Sequence, residues 1–256
     1  MINKSKYINL IIIFGLTLTG TILVNNLIVN LINNNIGLNF TWLNQTSGFA
    51  ISESLVPFKP SDSYIWALFA GWVNSLRVIV ISLIIATLLG LTVGLLRFSN
   101  NLLLRFCANT YIAIVRQVPL LIQLLFWYFV ALLGLKDKRI DILFSKIIIS
   151  NQSISLFGIN MSVEFAAIMI GLSIFTAASI AEVVRGGIES IPKGQFEAYQ
   201  SLGISNSTGM KIIILPQSLP AIIPALTSQY LNLAKNSTLA IAIGYSDIYA
   251  ISDTTI

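Results

Sequence analysis

The chain has 256 residues, of which 55% are hydrophobic and only 10% charged, with a mean hydropathy of +0.84. A soluble domain carries roughly 25% charged residues, so a water-facing globule is excluded and long stretches must lie in lipid. Histidine is absent and cysteine occurs once, at Cys107, which removes intrachain disulfides, Cys/His zinc clusters and a histidine general base. The net charge of +5 comes from basic residues scattered between apolar blocks, with no patch that interleaves aromatics. It fits the positive-inside rule and not nucleic-acid binding.

The first apolar block runs from about Ile8 to Ile32, after Lys4 and Lys6. Roughly 20 residues cross a ~30 Å hydrocarbon core, and the block's length and Asn-rich end fit a retained helix rather than a cleaved signal peptide. Asn33 to Ser63 is polar and punctuated by Pro57 and Pro60, which predicts an external connection and no separate domain. The second block, Trp66 to Leu96, holds Gly90 and Gly94 at a spacing that lets another backbone approach. Arg77, behind Asn74 and Ser75 near the outer end, is expected to snorkel to the interface in a structural role.

A third crossing is expected over Ala108 to Leu135, then an outer loop from Lys136 to Asn160 whose KDKRID cluster reads as solvated. The fourth block, Met161 to Val184, ends at Glu182 and Arg185, three residues apart and able to pair on one helix face. The fifth, Gln217 to Tyr245, begins with Pro216, Pro220 and Pro224, which remove hydrogen bonds along one face and make its start bent or deformable. With the N-terminus cytoplasmic, the inner segments hold seven basic residues and the outer ones five. The expected fold is an all-α, polytopic bundle of about five crossings.

Between the fourth and fifth crossings lies the one long stretch that mixes charges, glycines and prolines with apolar residues, about residues 186–216. Pro192 suits a helix's first turn, Phe196, Tyr199 and Leu202 recur every three residues, and Gly203 can take the left-handed conformation that ends a helix. Ser205 or Ser207 can cap a second helix running through Lys211 until Pro216 interrupts it. A short amphipathic helix held outside the bilayer either lies in the headgroups or docks in a partner's groove. Glu189 and Glu197 balance Lys193 and Lys211, which weakens attraction to anionic lipid and favours docking.

These residues resemble the EAA loop of ATP-binding-cassette importer permeases: Glu197 and Ala198, then Gly203, then nine residues to Ile213, followed by Leu215 and Pro216. Tyr199 stands where that motif has its second Ala, a departure expected to alter the docking face. The flanking AEVVRGGIESIPKGQ, the RQVPLLIQLLFWY of Arg116 to Tyr128 and the LAKNSTLA of Leu233 to Ala240 are similar to the polar amino acid permeases, the histidine-type permease family. Gln117 and Val118 depart from the Asn or Gly, then Thr, common before the proline. The likeness covers about residues 66–250.

The resemblance implies a type I importer permease with the MetI-like fold in the cell (inner) membrane, multi-pass, with no catalytic residue, cofactor or metal of its own. It implies cytoplasmic ATPase subunits as partners, a second permease subunit that is the same or homologous, and an external binding protein for an amino acid. Residues 1–65 would form an N-terminal membrane helix and its connection, and 66–256 the permease domain. Relatives have a further helix after the stretch resembling GYSDIYA, so the family's last crossing is expected beyond Ile256.

For coupling to the ATPase the motif assigns Glu197, Ala198 and Gly203, with Lys193, Phe196, Tyr199 and Leu202 lining the dock. The polar residues at membrane depth, Gln229, Asn232, Lys235, Asn236 and Thr238, with Gln123 in the third crossing, are candidates to line the substrate pathway. A buried Lys costs at least ~2.5 kcal/mol, so Lys235 should face protein, water or an anion such as an amino acid's carboxylate; an interhelical polar clamp is the other reading. A membrane enzyme would need clustered Asp, Glu, His or Cys, and the 10 acidic residues are dispersed. A secondary transporter would show paired halves, which this chain lacks, and a purely structural subunit leaves the EAA spacing unexplained.

Overall fold

The computed structural model describes residues 4–34, 40–135, 140–142, 147–156 and 158–255. The chain forms two compact units, Met1–Gln45 and Thr46–Ile256. The first holds α1 (Lys4–Asn33) and a 3₁₀ turn at Thr41–Asn44. Its Ile8–Asn33 stretch is long and apolar enough to cross a bilayer. The hydroxyls of Thr17, Thr19 and Thr21 donate to the carbonyls of Ile13, Gly15 and Thr17 at 2.6–3.0 Å, so each is satisfied within the helix.

In the second unit α2 (Tyr64–Leu96) and α5 (Val163–Glu189) pack along most of their lengths. Glycine makes this possible. A Cβ at Gly90 would lie 2.6 Å from Ile180 Cβ and 2.8 Å from the Ala177 carbonyl oxygen, and one at Gly94 would lie 2.8 Å from Val184 Cβ. The close approach expected from the Gly90/Gly94 spacing is therefore made by α5. Phe165, Ile168, Leu172, Ile180, Val184 and Ile188 of α5 are fully buried, so this helix is the axis of the unit.

The third block is not one straight crossing. It comprises α3 (Leu102–Gln117) and α4 (Leu120–Leu125), which continues through a wide π turn at Phe126–Leu132, and the two limbs meet at 102°. Val118 is extended because the ring of Pro119 disfavours helix at the residue before it, and Pro119 has no N–H to carry the ladder on.

The outer loop expected after this block instead holds a small antiparallel meander of order β1-β2-β3-β4: Ile140–Ile142, Ile147–Ile149, Ser153–Leu156 and Ile159–Ser162. Ile154 and Met161 bury beside α5, while Ile140 and Asp141 of the KDKRID cluster are exposed in β1 and Lys136–Arg139 lie outside the described residues. The fold remains mostly helical, as expected.

After α5 come α6 (Lys193–Ser201) and a continuous span, Asn206–Ile243, built from α7 (Asn206–Gly209), a π turn at Met210–Ile214, α8 (Leu215–Asn236) and 3₁₀ turns at Ser237–Ile243. Pro216 does not interrupt this helix. The wider bonding of the preceding π turn runs directly into it, and Pro216 sits at the start of α8, where a missing N–H costs little. α9 (Ile248–Thr254) follows and packs on α2.

The connection before α2 is a strap closed at its base by Ser47 N–H to Asp62 O (2.8 Å), Gly48 N–H to Pro60 O (3.0 Å) and a bridge between Thr46 and Ser63. Glu53 in this strap pairs with Arg77 of α2 and accepts from the Ser162 N–H (3.0 Å) at the start of α5. Arg77 therefore does not snorkel to the interface. Its side chain is 12% exposed, with the guanidinium 3.9 Å from the Phe165 ring centre. The structural role expected of it is met, with a partner 24 residues away in sequence.

Candidate functional site

The loop between α5 and the last span folds as its punctuation predicts. Pro192 precedes α6, Gly203 ends it at φ 73°, and the Ser205 hydroxyl, not Ser207, accepts from the Thr208 N–H (3.3 Å) to cap α7. The two short helices are clamped face to face. Tyr199 is 3% exposed, its ring covers Gly209 so closely that a Cβ there would lie 2.5 Å from the ring, and its hydroxyl reaches Asn206 at 3.4 Å. Phe196 is half-buried and tilts against Tyr199 with ring centres 6.1 Å apart.

Lys193, Glu197, Ala198, Leu202 and Gly203 are exposed, Leu202 at 76%. Tyr199, expected among the residues of the dock, is buried on the inner face of α6. Tyr199 holds the helix from its inner side and leaves the outer face to Glu197 and Ala198. A cavity of about 750 Å³ opens beside this clamp, lined by Phe98 and Asn100 from the turn after α2 and by Phe196, Tyr199, Met210 and Lys211.

Glu182 is the centre of the charged cluster above the loop. It accepts from Arg185 Nε at 2.9 Å, as the spacing predicted, and also pairs with Arg97 at the end of α2; Arg185 in turn pairs with Glu189. Arg116 of α3 approaches the same carboxylate at 3.8 Å. The pair is the hub of a network that ties the end of α2 to α5 just before the loop, with Arg116 of α3 at its margin. Neither Arg97 nor Arg116 was singled out for this from sequence, since helix packing alone brings positions 85 residues apart to one carboxylate.

Of the pathway candidates, Gln229, Asn232, Lys235 and Asn236 recur at three- to four-residue intervals on one side of α8. Asn232, Lys235 and Thr238 are exposed, while Gln229 and Asn236 are half-buried. The Thr238 hydroxyl donates to the Lys235 carbonyl at 2.9 Å. Among the described residues no carboxylate lies within ion-pair distance of Lys235. Gln123 does not join this stripe. It is buried at the break between α3 and α4, where its amide donates to the carbonyls of Val115 (2.8 Å), which Pro119 cannot serve for want of an N–H, and Val118 (2.9 Å). Its amide N–H groups are thus engaged at the break.

At the opposite end, Asn74 donates to the carbonyls of Glu53 (2.8 Å) and Ser246 (2.9 Å), and the Ser75 hydroxyl accepts from the Ile248 N–H (3.0 Å). Asp247, 1% exposed, caps α9 through one carboxylate oxygen to the Ala250 N–H (2.8 Å), while its other oxygen has no partner. Burial pushes this carboxyl above the ordinary range, against the pull of its backbone N–H partners.

A bundle of apolar spans with a two-helix loop clamped at its mouth, and a polar stripe on one span, defines a membrane permease of the ATP-binding-cassette importer class. Residues 86–251 match the family described as the inner membrane component of binding-protein-dependent transport systems, and the chain belongs to it. It is therefore a non-catalytic inner membrane subunit of a system that works with an ATPase and a binding protein.

The chain is 31% identical over 314 aligned positions to the putative amino-acid ABC transporter permease protein YhdX of Escherichia coli, covering 91% of this chain and 80% of the relative. It resembles a solved amino acid ABC transporter crystallised with histidines at 29% identity and TM-score 0.59, over 75% of this chain and 78% of that one. The inward-facing MetNI methionine transporter matches at 20% identity and TM-score 0.55, over 73% and 79%, which shows the shared MetI-like fold. The likeness to polar amino acid permeases read from the loop and its flanks is borne out.

Proposed function

We propose that this permease imports polar amino acids by coupling the exposed side of α6 to a cytoplasmic ATPase, with the α8 stripe lining the substrate pathway. One observation carries the coupling: α6 is anchored on its inner side by Tyr199 and Phe196, while Lys193, Glu197, Ala198 and Leu202 are left on the outer side. A helix held rigidly from behind, with a charged and apolar outer face, can transmit force from a partner's groove. Gly203, at φ 73°, makes the turn that ends this helix.

ATP-driven closure of two ATPase subunits would draw two such helices together and rock the paired permeases, the second copy being identical or homologous, between inward- and outward-facing states. An external binding protein would deliver the amino acid. Gln229, Asn232, Lys235, Asn236 and Thr238 are supported as pathway residues by cost: exposed amides and an ammonium on a membrane helix are too expensive to face lipid, so they face protein or a watery channel. Lys235 would meet the substrate's carboxylate. The division into an N-terminal helix with its connection over 1–65 and a permease domain over 66–256, with the coupling loop at about 186–216, belongs to the same proposal.

Glu197→Arg and Gly203→Pro test the coupling role. Both variants should insert in the membrane at the parent level and lose co-purification with the ATPase; unchanged capture would refute it.

A further inference from the structure

We propose that the C-terminal end of α3, where it meets the ends of α2 and α5 at Arg97 and Glu182, forms a binding site for a phosphate oxyanion, with Arg116 as its main ligand. A cavity of about 520 Å³ lies between these helices, walled by Arg97, Asn109, Ile112, Ala113, Arg116, Gln117 and Glu182.

The charges around it do not balance. Three guanidiniums, Arg97, Arg116 and Arg185, face two carboxylates, Glu182 and Glu189. Arg97 and Arg185 take the close positions on Glu182, and Arg185 also holds Glu189. Arg116 is left 3.8 Å from an oxygen that Arg185 already occupies, 52% exposed, and without a hydrogen bond among the described residues. The Asn109 and Gln117 side chains line the same cavity, are exposed, and have no partner among those residues either.

The site thus offers one surplus positive charge and two amides, all able to donate. A planar guanidinium with flanking amides suits a tetrahedral oxyanion, which it can meet with two parallel N–H groups. The position adds a reason. Basic pockets between membrane helices on the cytoplasmic side meet the anionic headgroups of the inner leaflet, and a surplus charge beside the bilayer is costly until neutralised. The same phosphate chemistry is offered by a lipid headgroup or by soluble phosphate.

The full chain in detergent, titrated with phosphatidylglycerol, phosphatidylcholine or inorganic phosphate and followed by native mass spectrometry and calorimetry, tests the site and its source. Phosphatidylglycerol should be retained over phosphatidylcholine, and Arg116→Gln should weaken that binding by about tenfold or more, as loss of one charge-assisted pair implies. Arg116→Lys, which keeps the charge without the fork, should recover part of it. Arg116-dependent binding of inorganic phosphate with no lipid preference would support the site and assign it to the soluble ion. The proposal is overturned if neither ligand binds in an Arg116-dependent way, or if free glutamate displaces the bound ligand as well as phosphate does. Arg116 is half-exposed, so the variants should keep the parent's thermal stability, and that control separates lost binding from lost fold.

Discussion

Gly90→Ala is the sharpest test of how the bundle is held together. The added methyl would lie 2.6 Å from Ile180 Cβ, 2.7 Å from its Cγ2 and 2.8 Å from the Ala177 carbonyl oxygen. Ordinary carbon contacts lie at about 3.5–4.0 Å, so α2 and α5 must part by about 1 Å or bend. A flexible side-chain tip could swing aside, but a β-carbon and a backbone oxygen cannot. Overpacking of this kind costs about 1–3 kcal/mol, and the fixed neighbours put Gly90 at the upper end. Exchanging glycine for alanine inside a helix returns only about 0.5–1 kcal/mol, leaving a net loss near 2 kcal/mol. Gly186→Ala is the internal control, because nothing lies within 4 Å of a Cβ there and only the helix gain remains. Thermal unfolding in detergent, followed by tryptophan emission, should place Gly90→Ala clearly below the parent and Gly186→Ala at or above it. Equal midpoints for the two variants would refute the close-packing argument.

Two further changes probe the clamp and the outer cap. Tyr199→Ala empties a buried ring site worth about 3–5 kcal/mol and should loosen α6, read as faster proteolysis between Lys193 and Lys211 and weaker ATPase capture, while Tyr199→Phe, losing only the 3.4 Å contact to Asn206, should behave as the parent. Asp247 binds a proton more readily folded than unfolded, because its folded value is raised above 3.8; stability should therefore be greatest below that ordinary value and fall as pH climbs through the raised one. Asp247→Asn keeps the cap and should abolish that slope, whereas Asp247→Ala should lose about 1 kcal/mol of cap; a parent protein with no such slope would contradict the assignment.

The loop was readable from sequence because its signals are local: a proline before a helix, a glycine after it, a serine three residues ahead of the N–H it caps. The Gly90 and Gly94 spacing likewise announced a close helix contact, though nothing local names Ile180 and Val184 as the other side. What was missed depends on distance or on competing signals. Apolar residues flank Arg116, Gln117 and Pro119 on both sides in Ala108 to Leu135, so the block read as one crossing although the proline that turns it was in plain view. Strands of three and four residues are too short to show alternation, and the Ile147–Ile149 run looks the same in a loop or a sheet. Pro216 was expected to stop a helix, and the π turn before it gave the chain another solution. Gln123 read as a polar group for substrate, and nothing local announced that its amide would reach the Val115 and Val118 carbonyls at the Pro119 break. Arg77 and Glu182 were recognised as structural, but their partners Glu53 and Arg97 come from remote segments that carry no motif.

The central claim, that this is the pathway subunit of an ATP-driven amino acid importer, is tested most directly by reconstitution. The permease, its ATPase and its binding protein would be placed in proteoliposomes, and uptake of a labelled polar amino acid followed with ATP inside. The account predicts uptake that requires ATP, the ATPase and the binding protein, that vanadate stops, and that collapse of the ion gradients leaves intact. Uptake that proceeds without ATP and disappears with the gradients would contradict it.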